Sequence, residues 1–224
     1  MRAMRLSETL RGIAGDNLLQ ETPYPVIAPD REEMLPQILG AARSESFRIL
    51  LLGTGSSFPG DFSLVRDNVI AITTSKLAGM KAISTGTSRV FAGTSVAQLI
   101  KNANSTRKTV GGLLAWSLNP TSDVALKALW PRLVSLRVLT GKGETKEFFF
   151  PSAVSSDDPG LGTLYLGSRG RMGMIVSIDF LSPLPVDVKD GGQLDKPKEF
   201  REVQQVLRRD EAEALFDPEG LFKW

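Results

Sequence analysis

The sequence predicts an α+β protein in two lobes: a small α/β lobe containing parallel strands, then a larger lobe whose mixed or antiparallel sheet carries flanking helices. Three observations carry this. Strand and helix periodicities alternate over the first 76 residues, short strands dominate from Leu77 onward, and Gly141-Lys142-Gly143 marks a hairpin between two strand-like runs. The lobes are expected at residues 1–76 and 77–186, followed by a linker and C-terminal helix over 187–224.

The elements follow in order. A polar helix opens the chain in "MRAMRLSETLRGIAGDNLLQE". Prolines then force "YPVIAP" into an extended segment. Asp30-Arg31-Glu32-Glu33 reads as a capping box for a helix whose apolar residues Met34, Leu35, Ile38, Leu39 and Ala42 share one face. Pro36 early in that helix removes one backbone donor. "FRILLLG" and "NVIAITTS" read as buried strands. In the second lobe "MKAIS" and "RVFAG" are short strands, and a helix is expected over residues 95–101 with Val96, Leu99 and Ile100 as its stripe. "RLVSLRVLTGKGETKEFFF" is the hairpin, its "EFFF" a buried strand, and "TLYLG" and "MGMIVSIDFL" add a strand on each side of Gly167-Ser168-Arg169-Gly170. After a linker rich in Pro, Gly and charge, residues 200–215 read as an amphipathic helix with Phe200, Val203, Val206 and Leu207 at helical spacing. Its "LRRDEAEA" is a solvated face.

Composition restricts the chemistry. The 224 residues are 42% hydrophobic and 23% charged, ordinary for a globular protein with a sizeable core. Lys and Arg number 27 against 25 Asp and Glu, and a net charge of +2 makes no electrostatic case for nucleic acid or an anionic membrane. No apolar run approaches the roughly 20 residues that span a bilayer. The N-terminal stretch lacks the apolar core and cleavage site of a secretory signal, so a cytoplasmic location is expected. Cysteine and histidine are both zero. That excludes disulfides, iron–sulfur clusters, a cysteine nucleophile, the Ser-His-Asp triad and the thiolate and histidine zinc sites. What remains is carboxylates, Lys, Tyr and hydroxyls, or an organic cofactor that brings its own chemistry.

The stretch "LLGTGSSFPG" at residues 51–60 runs from an apolar strand into glycines and hydroxyls. It lacks the Lys of a P-loop, and Pro59 and Gly60 stop the helix that a G-x-G-x-x-G fingerprint must open. A strand entering "LGTG" also looks like the start of a metallo-β-lactamase-fold hydrolase, which needs histidine for its metals. Two readings stay open. One is a strand-to-strand turn in which Gly53 and Gly55 supply positive φ; the other is a cradle whose backbone N–H groups and hydroxyls meet an anion. "RKTVGGLLAWS" is either a helix start capped by Thr109 and packed tightly on a sheet, or a second backbone close to the same ligand. "GSRGRMG" is either a surface loop, or a place where Arg169 and Arg171 face phosphates or a partner subunit. Trp116, Trp130 and Trp224 are fillers of core or rim, or interface residues.

Taken in order, these segments resemble the FAD-binding domain of the vanillyl-alcohol oxidase and p-cresol methylhydroxylase (PCMH) family of FAD-linked oxidases. "VIAPDREEMLPQILGAARSESFRILLLGTGSS" is similar to the family's helix, strand and G-G-G-T-S loop around the FAD pyrophosphate, with Gly53, Thr54, Gly55, Ser56 and Ser57 at the loop positions. "SRVFAGTSVAQLI" resembles its strand and turn before a helix. "RKTVGGLLAWS" resembles its T-x-G-G-x-x-A segment, at Thr109, Gly111, Gly112 and Ala115. "LRVLTGKGE" looks like its hairpin, and "LGSRGRMGMIVSIDF" like the G-S-x-G-x-x-G-I-I strand beside the cofactor, at Gly170, Gly173 and Ile175. "ALFDPEGLF" is similar to its terminal F-D-P-x-G. The resemblance spans about residues 26–184 and 214–222. It implies a two-lobed PCMH-type fold and an FAD-dependent oxidoreductase acting on CH–OH donors, or a subunit of one. The FAD it implies is noncovalent, since attachment through His or Cys is impossible here and neither Tyr24 nor Tyr165 sits in an attachment motif.

The sequence also departs from the family. Fully active members insert a large substrate domain before the D-P-x-G segment, where this chain has a short linker and one helix, so no catalytic or substrate residue is assigned. The loop before T-x-G-G is reduced to "NANSTRK", the family's Tyr-Gly after it gives way to "PTSDVALKALWP", and the terminal N-P-G-K is replaced by Lys223-Trp224. Two roles remain. One is the flavin subunit of a multi-subunit dehydrogenase, similar to the FAD-linked small subunit of bacterial glycolate oxidase, oxidising a small 2-hydroxy acid and passing electrons to partner subunits. The other is a shortened relative that keeps the fold as a binding or scaffold subunit with weak or no FAD.

Overall fold

The computed structural model describes residues 8–20, 25–54, 68–101, 108–116, 123–150, 161–187 and 217–222, and within them two main sheets organise the chain. The helix expected over 200–215 and the loop residues Gly55, Ser56 and Ser57 lie outside the described residues. The first sheet contains β1 (Leu18–Gln20), β2 (Val26–Ile27), β3 (Arg48–Leu52) and β4 (Val69–Thr73), in the order β1-β2-β4-β3. Strand β4 runs parallel to both β2 and β3, while β1 is an antiparallel edge. β4 is apolar throughout because both its faces are covered. Ile70 and Ile72 enter the core shared with helix α2 (Met34–Ser44), and Val69 and Ala71 meet Leu50 on the other side.

Helix α2 buries the predicted face of Met34, Leu35, Ile38, Leu39 and Ala42, but the capping box does not form. Residues 31–33 make a turn instead, with the Met34 N–H donating to the Arg31 carbonyl at 3.4 Å and the Leu35 N–H to that of Glu32 at 3.0 Å. Pro36 therefore sits in the first helical turn, where its missing N–H leaves no bond unmade. Glu32 is diverted to the second lobe: its carboxylate accepts from Arg137 Nη1 at 2.8 and 3.0 Å. A short helix, α1 (Glu8–Ala14), packs Leu10 and Ala14 into the same core.

The second sheet is antiparallel, in the order β5 (Met80–Ser84), β6 (Thr87–Phe91), β10 (Gly173–Leu181), β8 (Leu133–Thr140) and β9 (Thr145–Phe149). A bulge between Ile175 and Ser177 puts Ile175 and Ile178 on one face three residues apart. That face packs on helices α3 (Val96–Leu99), α4 (Val110–Trp116) and α5 (Val124–Leu129). Met174 and Val176 turn the other way and join Leu139 in the core of the first lobe. Farther along the same sheet, Arg89 grips Asp179 at 2.7 and 2.8 Å, and Ser135 Oγ lies 2.8 Å from Glu147 Oε1. The hydrogen bond to Asp179 raises the Arg89 pKa above its ordinary value.

Three further elements differ from expectation. The helix over 95–101 is only Val96–Leu99, capped by Ser95; Ile100 and Lys101 become β7 (Ile100–Lys101), paired in parallel with β11 (Val186–Asp187). "TLYLG" is not a strand but part of a 3-10 turn, Leu161–Tyr165, that drives Tyr165 into the core beside the Phe148 ring. "EFFF" alternates as strands do, with Phe148 and Phe150 buried and Phe149 facing outward. The hairpin forms as expected, Gly143 taking φ +83° at its turn. Asp217 of the D-P-x-G segment lies against Gly141 and accepts the N–H groups of Leu221 and Phe222 at 2.8 and 3.0 Å, while the Ile49 N–H donates to the Leu221 carbonyl at 2.7 Å.

Candidate functional site

Strands β3 and β4 are parallel and in register, Leu52 opposite Thr73, so their C-terminal ends finish side by side. Thr73 Oγ1 donates to the Gly53 carbonyl at 2.6 Å, and the Thr74 N–H to that of Leu52 at 3.0 Å. Facing these ends is the start of α4. Thr109 Oγ1 accepts the Gly112 N–H at 3.1 Å, which is the helix cap read from the sequence, and Gly111 packs so closely that an added Cβ would lie 2.7 Å from Ala92 Cβ. A Cβ on Gly53 would lie 2.8 Å from Thr109 Oγ1 and 3.8 Å from Gly112 Cα. Glycine is what lets these two backbones meet.

The third wall is the loop from Gly167 to Gly173. It is pinned to α4 by the Gly167 N–H donating to Leu114 and the Arg169 N–H donating to Ala115, at 3.0 and 2.8 Å. Gly170, at φ +77°, presses on Leu51, and Gly173, at φ +148°, has no room for a side chain beside the Leu139 carbonyl. The walls flank a narrow, open cleft with a volume of about 40 Å³ for the centre of a water-sized sphere. Of the predicted site residues, Gly53, Gly111, Gly112, Ala115, Gly170, Gly173 and Ile175 line it together; Thr109 stands behind the wall, and Thr54 is exposed outside the lining. Leu51, Leu52, Thr74, Trp116, Arg169 and Met174 line it as well and were not in the predicted set. The signal for Thr74 was the parallel register of β4 with β3, which sequence does not display.

Among the described residues no acidic side chain lines the cleft, and Arg169 is the one charge in its lining. Thr74 Oγ1 is buried with no partner among the described residues. This lining suits an anionic group: glycines let it approach the backbone, the orphaned Thr74 hydroxyl can bond it, and no described carboxylate opposes it. Among the described residues no cluster of acidic side chains is placed to hold a metal ion, and no helix is long and apolar enough to cross a membrane. The one described tyrosine, Tyr165, is fully buried outside the cleft lining, and burial pushes its pKa up.

A cleft between the two sheets, walled by glycines and free of described carboxylates, has the chemistry of a site for an anionic ligand. The chain matches the family described as FAD binding domain over residues 23–148, more than half its length, and belongs to that family; FAD is its cofactor. Among solved structures it is similar in fold to "alkyldihydroxyacetonephosphate synthase in P1", with a TM-score of 0.55 and 16% sequence identity over 72% of this chain and 34% of that one. The chain thus spans about a third of that structure's length. No curated protein sequence matches it. The FAD-linked oxidase family and the two-lobed PCMH-type fold implied by the motifs are the ones found.

Proposed function

We propose that the chain is the flavin-holding part of an FAD-linked oxidoreductase acting on CH–OH donors. By resemblance to the flavin subunit of glycolate oxidase, its substrate is a small 2-hydroxy acid and a partner subunit completes the site. In this reading the lobes at 1–76 and 77–186 clasp the cofactor. Gly53, Thr54, Gly55, Ser56 and Ser57 cradle the pyrophosphate, Gly111 and Gly112 approach it from the capped end of α4 behind Thr109, and Ala115, Gly170, Gly173 and Ile175 leave a smooth wall beside it.

The observation that carries this is the chemistry of the described lining: apolar and glycine residues, one threonine and one arginine, with no carboxylate, lysine or tyrosine among them. Such a cleft can hold an anionic cofactor, but its described lining offers no base to take a proton from a hydroxy acid. When bound, the flavin supplies the two-electron redox chemistry that the side chains lack. The groups that position and deprotonate substrate then come from whatever closes the mouth.

An absorption spectrum of the purified chain tests this. The expected result is a yellow protein whose flavin stays through gel filtration and is released by denaturation. 2-Hydroxy acids should bleach the flavin in the complex isolated with its partner, and not in the chain alone. A colourless protein that takes up no added FAD would refute the proposal and leave the scaffold role.

A further inference from the structure

We propose that Arg169, held over Trp116 at the mouth of the cleft, receives a phosphate of the bound nucleotide and makes the site selective for phosphorylated flavin. The inference rests on the cleft being the flavin site. Arg169 takes φ +56° in a loop where the other positive φ values, at Gly167, Gly170 and Gly173, belong to glycine. An L side chain is disfavoured there, and such strain persists where the surroundings hold the residue in place. Two contacts do so: the backbone N–H donates to the Ala115 carbonyl at 2.8 Å, and the guanidinium stacks 5.0 Å from the centre of the Trp116 ring.

A cation–π contact of this kind satisfies none of the guanidinium N–H donors, which stay available to a ligand. Other arginines of the chain spend theirs on carboxylates, Arg43 on Glu219, Arg89 on Asp179 and Arg137 on Glu32, whereas Arg169 has no acidic partner among the described residues. Trp116 is 37% exposed, which places the stacked pair at the entrance. The next residue, Gly170, touches Leu51, two residues before Gly53. The cation therefore stands at the C-terminal end of α4, at the edge of the cleft, where a planar fork with five donors matches a phosphate better than it matches an uncharged ring.

The test uses the full chain stripped of flavin, with calorimetric titration of FAD, riboflavin and ADP at low and high salt. Arg169→Gly removes the cation and suits the left-handed backbone, so loss of fold does not confuse the result. Its melting temperature should equal or exceed that of the wild type. FAD and ADP should bind about tenfold more weakly, and with less salt dependence, while riboflavin changes by less than about twofold. Arg169→Lys, which keeps the charge without the planar fork, should recover part of the loss. FAD affinity within about twofold of wild type in Arg169→Gly, or equal weakening of FAD and riboflavin, overturns the proposal. Arg169-dependent binding of ADP with no binding of either flavin would keep Arg169 as a phosphate site and sink the flavin reading. A wild-type chain that binds none of the three overturns both.

Discussion

Replacing Gly111 by alanine tests whether α4 is a fixed wall of the cleft. The added Cβ would lie 2.7 Å from Ala92 Cβ, 3.1 Å from its carbonyl oxygen and 3.2 Å from its Cα, where carbon atoms ordinarily approach to roughly 3.5–4.0 Å. Relief requires the helix start to retreat by about 1 Å. That retreat breaks the 2.9 Å bond from the Gly111 N–H to the Ala92 carbonyl. The loss costs about 1 kcal/mol, and overpacking adds about 1–3 kcal/mol. The helical preference of alanine over glycine offsets about 1 kcal/mol. The net is about 2 kcal/mol, seen in urea denaturation and as a fall in Tm of about 4–8 °C for a chain of this size. Gly112 and Ala115 move with the helix, so FAD affinity should drop about tenfold. Adding Ala92→Gly removes the Cβ–Cβ contact but not the backbone ones, and should restore part of both losses. A Gly111→Ala protein with unchanged urea midpoint and unchanged FAD affinity would refute this account of the wall.

Three other outcomes follow from the packing. Gly141→Ala places a methyl against Asp217, whose Cα is 2.9 Å away, and should expel the segment that buries Leu221 and Phe222; the expected cost is about 3–5 kcal/mol, with protease cleavage appearing near residue 217, and wild-type resistance would contradict it. Glu32→Gln weakens the link to Arg137 across the lobes; because both side chains are partly exposed, at 22% and 24%, the loss should be about 1 kcal/mol and should shrink with added salt. The Tyr165 pKa is raised above 10 by burial, so its neutral form is favoured in the fold, and the stability this gives is complete below pH 10 and lost as pH rises beyond it. The difference in alkaline absorbance between wild type and Tyr165→Phe should therefore appear only as the protein unfolds; a reversible step near pH 10 in the folded state would show the burial argument to be mistaken.

The strands of the first lobe were legible because β4 is covered on both faces and so reads as an unbroken apolar run. The cap of Thr109 and the tight glycines after it were legible because both obey local rules. What escaped the sequence depended on partners distant along the chain. Asp30 and Glu33 looked like the two halves of a capping box, yet the box does not form, and the carboxylate of Glu32 between them goes to Arg137, 105 residues later. Ile100 looked like the end of a helical stripe, but Val186 offers it a strand partner. Thr74 carries no motif, and reaches the cleft only because β3 and β4 end level. Arg169 read equally well as a surface residue until its backbone was seen pinned to Ala115 and its guanidinium stacked on Trp116.

The placement of charge separates holding a cofactor from acting on a substrate. Charged groups of the described fold pair away from the cleft: Asp179 with Arg89, Glu32 with Arg137, and Glu147 at 3.5 Å from Arg89, while the buried Asp217 is met by backbone N–H groups. Pairing weakens their fields at long range, so among the described residues the cleft lining contributes glycine N–H dipoles and one cation at the mouth. An anionic ligand meets no carboxylate of the described lining. Among the described lining residues the same arrangement leaves no carboxylate, lysine or tyrosine to take a proton, and Thr74 has only a hydroxyl. Substitutions in the lining should consequently act on affinity for the cofactor, whereas the rate with a hydroxy acid should respond to what covers the mouth. If the isolated, flavin-loaded chain turned over a 2-hydroxy acid as fast as the complex, a base outside this cleft lining would have to be sought within the chain itself.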